Sequence, residues 1–404
     1  MSRLIAVITV LWLLPALAWG QGFSALARID PQNSRITGTD DLRIDLALSL
    51  GVPYRLFTLD GPPRLVLDFQ EVDWTGLDPA QLVETKLVSQ VNFGAYVPGW
   101  SRFVAELLAP MQVVSAEMTV DGESQAARLA VALRPVSAAE FAATAGAPYD
   151  PRLDLPAPAE VAPDRPRNAD APLVVMLDPG HGGIDPGAET ERMNEKALML
   201  TFARELREVL LRSGGFEVLL TRDSDYFVSL ERRVTLAHQA GADVFISLHA
   251  DSLSEGQAHG ATVYTLSQEA SDIASAKLAE RHDRSELLSG LDLSDTDDEI
   301  TDVLLDLARQ ETQPRADQLA RALADGMRQT GAPMNRRPLR HSGFSVLKAA
   351  DIPSVLIEIG FMSSPRDLNN LLNPEWRAGI AVGIRNGLMA WRTNDLASRP
   401  LVRQ

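Results

Sequence analysis

The chain has 404 residues, 45% of them hydrophobic and 23% charged, a composition that rules out a fibrous or largely disordered polymer and allows two or three globular domains. Its formal net charge of -16 speaks against a nucleic-acid-binding surface, which needs clustered Lys and Arg, and against attraction to anionic lipid. Cysteine is absent, so no disulfide staples the fold and any metal site must use nitrogen and oxygen ligands.

At the N-terminus, Arg3 precedes an apolar stretch from Leu4 to Leu14, followed by Pro15 and the small-residue pattern Ala16-Leu17-Ala18-Trp19-Gly20. A basic start, a short apolar core and small residues near a cleavage point predict a signal peptide over residues 1–20, cut after Ala18 or Gly20. The alternative, an uncleaved anchor, needs a longer apolar run. No later segment is apolar enough to span a bilayer, so no membrane span is expected after cleavage.

Residues 24–135 show repeated short strand patterns. Leu42–Leu48 and Tyr54–Leu59 alternate, Gly61-Pro62-Pro63 makes a turn, and Arg64–Phe69 follows. Further strands are expected at Val88–Phe93, Ser101–Leu107, Val113–Thr119 and Ala127–Arg134. This pattern predicts a small all-β sandwich. It contains no histidine, which suits a binding module better than a catalytic one. Residues 136–171 are rich in Ala, Pro and charge and predict an extended linker with little room for helix or strand, or else an irregular loop packed on one domain.

From residue 172 to about 395 strands and helices alternate. Strands are expected at Leu173–Leu177, Glu217–Thr221, Val244–Leu248, Ala261–Leu266, Ser345–Leu347 and Ser354–Ile359, and helices at Glu195–Ser213, Leu230–Ala240 and Pro374–Trp391. Alternation of this kind predicts an α/β domain with a mostly parallel twisted sheet flanked by helices.

All six histidines lie in this second domain. His238 falls inside a helix and His259 in a loop before a strand, positions that suit surface or packing roles. His181 and His249 instead follow buried strands at their carboxyl ends, where open α/β sheets present ligands. Glu195 at a helix start can be explained by the helix dipole alone, worth about 0.3–1 kcal/mol. Glu358 is harder to explain blandly. It interrupts the apolar run Ser354–Ile359, and a carboxylate there costs several kcal/mol unless it is paired or set beside a cation. A structural salt bridge or a place beside a metal as general base would each satisfy it. Two histidines and a glutamate from separate elements make an open three-ligand set of the kind a catalytic zinc requires.

The motifs DPGHGGIDPGA (178–188), NEK (194–196), SLHAD (247–251) and IEIGFMSSP (357–365) together resemble the zinc-dependent N-acetylmuramoyl-L-alanine amidases of bacterial cell-wall cleavage, the amidase 3 type. The resemblance covers Leu173 to Trp391. The first domain more weakly resembles the AMIN module that targets such enzymes to the wall. The resemblance implies Zn2+ held by His181, Glu195 and His249, with Glu358 as the catalytic glutamate. It also implies peptidoglycan as substrate, cut between N-acetylmuramic acid and L-alanine in cell-wall remodelling and daughter-cell separation, and a periplasmic location. Two departures stand out: the loop Glu189–Asn194 lacks the usual glycines, and Ser364 replaces an asparagine. The rivals are a zinc peptidase cutting within cross-links and a non-catalytic wall-binding protein.

Between Leu266 and Ser345 lies more helix than one crossover needs, with helical spacing over Glu269–Leu288 and Ile300–Gln329 and the acidic run Asp295–Glu299 between them. One explanation is an extra helical layer with a solvated loop. The resemblance implies another: a regulatory insertion, about 267–330, that covers the zinc until a LytM-like activator displaces it, with Glu280 or His282 as the blocking ligand.

Overall fold

The structure is a computed structural model that describes residues 27–97, 99–148, 171–253, 258–284, 288 and 299–402, with the side chains of 312–398 in the last stretch. The stretch proposed as a signal peptide, most of the Pro-rich segment and nearly all of the acidic run lie outside the described residues.

The N-terminal region is all β apart from two short helices. Its strands are β1 (Ala27–Arg28), β2 (Arg35–Thr37), β3 (Leu42–Leu48), β4 (Tyr54–Leu59), β5 (Arg64–Gln70), β6 (Val72–Asp73), β7 (Val88–Ala95), β8 (Trp100–Leu107), β9 (Met111–Val120) and β10 (Ala127–Pro135). They form two four-stranded sheets, β2-β3-β10-β9 and β4-β5-β8-β7, beside the small pair β1-β6. In β3 alternate residues are buried, and Leu42, Ile44 and Leu46 meet Leu65, Leu67 and Phe103 of the opposite sheet. That period-two pattern is what made the strands readable. Helix α1 (Pro79–Leu82) connects β6 to β7, and α2 (Ala138–Ala142) follows β10. The second helix corrects the expectation of a segment without regular structure from residue 136 on. Ser137 and Glu140 form a capping box there.

The C-terminal region is built on one mixed sheet. Its elements are β11 (Leu173–Pro179), α3 (Glu195–Ser213), β12 (Phe216–Leu220), α4 (Leu230–Gln239), β13 (Val244–His249), β14 (Ala261–Leu266), α5 (Ile273–Asp283), α6 (Glu299–Gln329), β15 (Met334–Ser342), β16 (Ser354–Glu358), α7 (Pro365–Leu372) and α8 (Pro374–Val402). The strand order is β12-β11-β13-β16-β14-β15. The pairs β11–β12, β11–β13, β13–β16 and β14–β15 are parallel, whereas β14 runs antiparallel to β16. Helices α3, α6 and α8 pack one face through Phe202, Leu323 and Ile384; α4 and α5 pack the other through Ala237 and Leu278. The class is therefore α/β with a mixed sheet between helical layers.

One expected strand is wrong. Ser345–Leu347 is a single 3-10 turn, and the edge strand is Met334–Ser342, which sequence reading missed. The Asp283 carboxylate accepts from both the backbone N–H and the hydroxyl of Ser345 at 3.0 Å, which bends the chain, and Val346 and Leu347 are buried sideways. The apolar signal there reported burial and not extension. Strand β15 carries Arg336, Arg337 and Arg340, charges that suit an exposed sheet edge and hide a strand from hydrophobic pattern.

Helices α6 and α8 cross through glycines. A Cβ on Gly387 would lie 2.6 Å from the Ala322 carbonyl oxygen and 2.7 Å from Leu323 Cα. Replacing Gly387 by Ala gains about 1 kcal/mol of helix propensity but forces two backbones apart, which costs about 1–3 kcal/mol. Gly387→Ala should therefore lower the urea midpoint. A raised midpoint would show that the helices can separate freely.

Candidate metal centre

Strands β11, β13 and β16 lie side by side, and their carboxyl ends deliver His181, His249 and Glu358 to one point. His249 and Glu358 are direct cross-strand partners in the β13–β16 ladder. His181 sits just past β11 with φ +61°, a left-handed backbone that places its ring over the sheet edge. Two glycines make room. A Cβ on Gly180 would lie 2.2 Å from the His249 ring, and one on Gly187 would lie 2.6 Å from His181 Cδ2.

Glu195 is the first residue of α3, after Asn194, whose side chain caps the helix by accepting from Ala197 N–H. It is fully buried. Its Oε2 accepts from Ala188 N–H at 2.9 Å and lies 3.2 Å from His181 Nε2. Its Oε1 accepts from Ala250 N–H at 2.9 Å and lies 3.1 Å from His249 Nδ1. The other side of His181 is held by Asp185, whose Oδ2 is 2.8 Å from Nδ1. This carboxylate–imidazole contact is the kind that fixes the orientation of a metal-binding ring.

The insertion helix α5 reaches the same point. His282 is buried, its ring centroid 4.1 Å from that of His249 and 5.8 Å from that of His181. One nitrogen from each of His181, His249 and His282 lies within 4.8 Å of the others. His282 Nε2 is 3.5 Å from Asp251 Oδ2 and 3.7 Å from Glu358 Oε1. Glu280 is exposed on the outer face of the same helix. His238 lies elsewhere, paired with Asp351 at 2.7 Å, and His259 and His341 stay outside the cluster.

Glu358 is completely buried; Asp251 N–H donates to its Oε2 at 2.9 Å. Among the described residues, Glu358 Oε1, Asp251 Oδ2 and His181 Nε2 are buried polar atoms with no hydrogen bond. Three such atoms within one cluster of buried imidazoles and carboxylates form a polar set that a bound cation would satisfy. The donors are nitrogen and carboxylate oxygen, a set that fits zinc.

The local charges set the protonation states. Burial lowers the affinity of His181 for a proton, but the Asp185 and Glu195 carboxylates raise it well above the usual value. Burial pushes His249 down to about 3, helped by its neighbour His282. Burial would raise Glu195, but His181 holds it well below the ordinary range. Glu358 goes the other way: burial first, then the charges of Glu195 and Asp251, push its carboxyl well above its usual 4.5.

Sequence reading missed the residues that hold the loop. The buried Asp178 accepts from Thr221 Oγ at 2.6 Å, Ser247 Oγ at 2.7 Å and Arg233 at 2.6 Å. Arg233 also donates to the carbonyls of Pro179 and His181, and Arg222 donates to those of Pro179 and Gly180. A charged side chain on the buried face of α4 was the available signal for Arg233. The cleft, about 830 Å³, runs from His181 and Asp251 past Lys196 to Gln90 and Asn92 on β7, and Arg281 lines it too.

Comparison with known proteins agrees with these motifs. Residues 175–390, more than half of the chain, match the family model described as N-acetylmuramoyl-L-alanine amidase (Amidase_3). The chain is 29% identical over 370 residues to the N-acetylmuramoyl-L-alanine amidase AmiC of Escherichia coli O6:H1, covering 86% of each. It is 37% identical over 220 residues to AmiA of Salmonella typhimurium, covering 54% of this chain and 75% of that one. Among solved structures, an N-acetylmuramoyl-L-alanine amidase from Clostridium difficile 630 aligns over 55% of this chain and 96% of its own, at 24% identity and a TM-score of 0.41. No helix among the described residues is long and apolar enough to cross a membrane.

The raised proton affinity of Glu358 has a consequence for the metal-free protein. Between its usual 4.5 and its own higher value, the folded chain keeps a proton that the unfolded chain has released. Stability from this group is therefore lost as pH rises through that interval. In excess chelator, the thermal midpoint of the wild type should fall relative to that of Glu358→Gln over the same interval. Parallel pH curves for the two proteins would show that Glu358 ionises normally.

Proposed function

The chain belongs to the N-acetylmuramoyl-L-alanine amidase family, and from that premise we propose that it is a zinc amidase of peptidoglycan. It would cut the amide joining the lactyl group of N-acetylmuramic acid to L-alanine of the stem peptide. The observation that carries this reading is the convergence of His181, Glu195 and His249 beside the protonatable, buried Glu358. His181, Glu195 and His249 would hold Zn2+, which when bound supplies a Lewis acid for the amide carbonyl and lowers the pKa of water toward about 7.

The protein's own groups divide the remaining work. Asp185 keeps the His181 ring turned so that Nε2 faces the site. The Asp251 N–H holds Glu358 Oε2, which leaves Oε1 to take a proton from the attacking water and return it to the leaving nitrogen of alanine. A carboxyl whose proton affinity is raised by burial and by the charges of Glu195 and Asp251 is suited to both halves of that transfer. The cleft that continues past Lys196 toward β7 offers room for the flanking chains of a polymer.

Several narrower readings go with this one. The apolar, small-residue N-terminus supports export to the periplasm, and the all-β region supports an AMIN-like wall-targeting role. Burial of His282 against His249 supports an insertion that closes the site, with His282 rather than the exposed Glu280 as the blocking group. Opening it would call for a partner such as a LytM-like activator.

Digestion of purified peptidoglycan, with and without chelator, tests the main reading when products are identified by mass. Free peptides beginning with L-alanine and bare glycan are expected, and chelator should abolish them. Peptides cut within cross-links would make the protein a zinc peptidase instead, and no release by zinc-loaded protein lacking residues 269–299 would leave only wall binding. His181→Ala should lose zinc. Glu358→Gln should keep about one equivalent of zinc yet turn over about 10²–10⁴-fold more slowly, the usual effect of a lost acid–base group. Zinc loss in Glu358→Gln would make that residue a ligand.

A further inference from the structure

The turn between β7 and β8 rests directly on the loop that carries His181. Ala95 accepts a hydrogen bond from Ile184 N–H and Tyr96 accepts one from Phe227 N–H, both at 3.0 Å. The two backbones touch with no room for a side chain: a Cβ on Gly94 would lie 2.9 Å from the Gly183 oxygen, and one on Gly183 would lie 1.9 Å from the Ala95 oxygen. Tyr96 stacks on Phe227 at 5.9 Å, and together with Val104, Ile184 and Leu288 they form one apolar cluster drawn from both regions.

Arg102, on β8 and almost fully buried, ties a third segment to this contact. It grips Asp68 through two bonds of 2.5 and 2.9 Å and lies 3.5 Å from the Tyr96 ring centroid. Its remaining arm donates to the Leu288 carbonyl at 3.1 Å. Leu288 follows closely on α5, the helix that carries His282. Nearby, Arg284 approaches Glu106 of β8 at 3.7 Å, a solvent-exposed pair of little weight. The Arg102 bond differs because it is dry, and a buried guanidinium that loses such a partner has no water to replace it.

We propose that the β-sandwich is a clamp on the catalytic region and not a freely tethered module. Through Ala95 and Tyr96 it fixes the His181 loop. Through Arg102 it holds the chain after α5, and so keeps His282 over the site. The second hold rests on the reading of α5 as the closing helix; the first does not. Tyr96 and Arg102 are thus positioning residues that act on a site in another part of the chain. A region that served only to bind the wall would need no buried contact with the His181 loop.

Hydrogen exchange on the zinc-loaded full chain tests this without relying on activity. In Arg102→Met, amides in 273–283 and 180–184 should exchange about tenfold faster than in wild type, the scale of one lost hydrogen bond to a charged group. Arg128→Ala, which removes an exposed pair with Asp45 on the other sheet, should leave both segments unchanged. Phe227→Ala loosens the same contact from the catalytic side and decides the matter if Arg102→Met exposes β3 and β10. Wild-type protection of 273–283 and 180–184 in Phe227→Ala would overturn the clamp. Faster exchange with no hydrolysis, even in protein lacking residues 269–299, would keep the clamp and overturn the amidase reading.

Discussion

A buried pocket at the carboxyl edge of the sheet contains three carboxylates, from Glu195, Asp251 and Glu358, and three imidazoles, from His181, His249 and His282. Burial weakens the stabilisation that water gives these charges, so each must be answered by a neighbour or suppressed. Glu195 is answered by two backbone N–H groups and two histidines; Asp251 is answered by Arg281. Glu358 has one backbone donor and two acidic neighbours, and it is the one whose carboxyl is pushed above its usual range. That imbalance is the physical root of the proposed division between metal ligands and general base.

The pocket can exist because the loops around it are held from behind. Asp178 binds Arg233, and Arg233 with Arg222 takes up the carbonyls of Pro179, Gly180 and His181, which the end of β11 leaves without strand partners. The two guanidinium groups lie close together; burial, then repulsion from Arg233, pushes Arg222 down to about 10. Such a site is built for rigidity: the left-handed backbone at His181 is kept in place by hydrogen bonds on both of its flanks.

The insertion helix is fastened as firmly as the loops. Asp272 at its start pairs with Arg340 on β15, and Asp283 at its end holds Ser345. Arg281 reaches Asp251 from the last turn, while Leu278 and Ala279 are buried against the sheet. Moving α5 away from the pocket would break these contacts together. The β-sandwich adds Arg102 to the same set of fastenings.

Much of this was legible in the amino-acid order alone. Period-two alternation marked β3 and β4 to the residue, a short apolar run marked β14, and helical spacing between Asn194 and Gly214 bounded α3. His181 and His249 were marked by their place after buried strands, and Glu358 by a charge in an apolar run, because local burial leaves a local trace. What is written in distant pairs was not legible. The edge strand β15 was hidden by its charges, and Ser345–Leu347 looked extended because burial and extension share one apolar signal. Arg222 and Arg233 were ordinary arginines until the sheet brought Asp178 and three loop carbonyls to them. The choice between Glu280 and His282 depended on which face of α5 meets the sheet, and two residues on one helix differ by about 200° in direction. Nothing in the chain's order announces that Tyr96 and Arg102 meet Phe227 and Leu288. Those contacts join segments more than a hundred residues apart, and only the folded chain decides them.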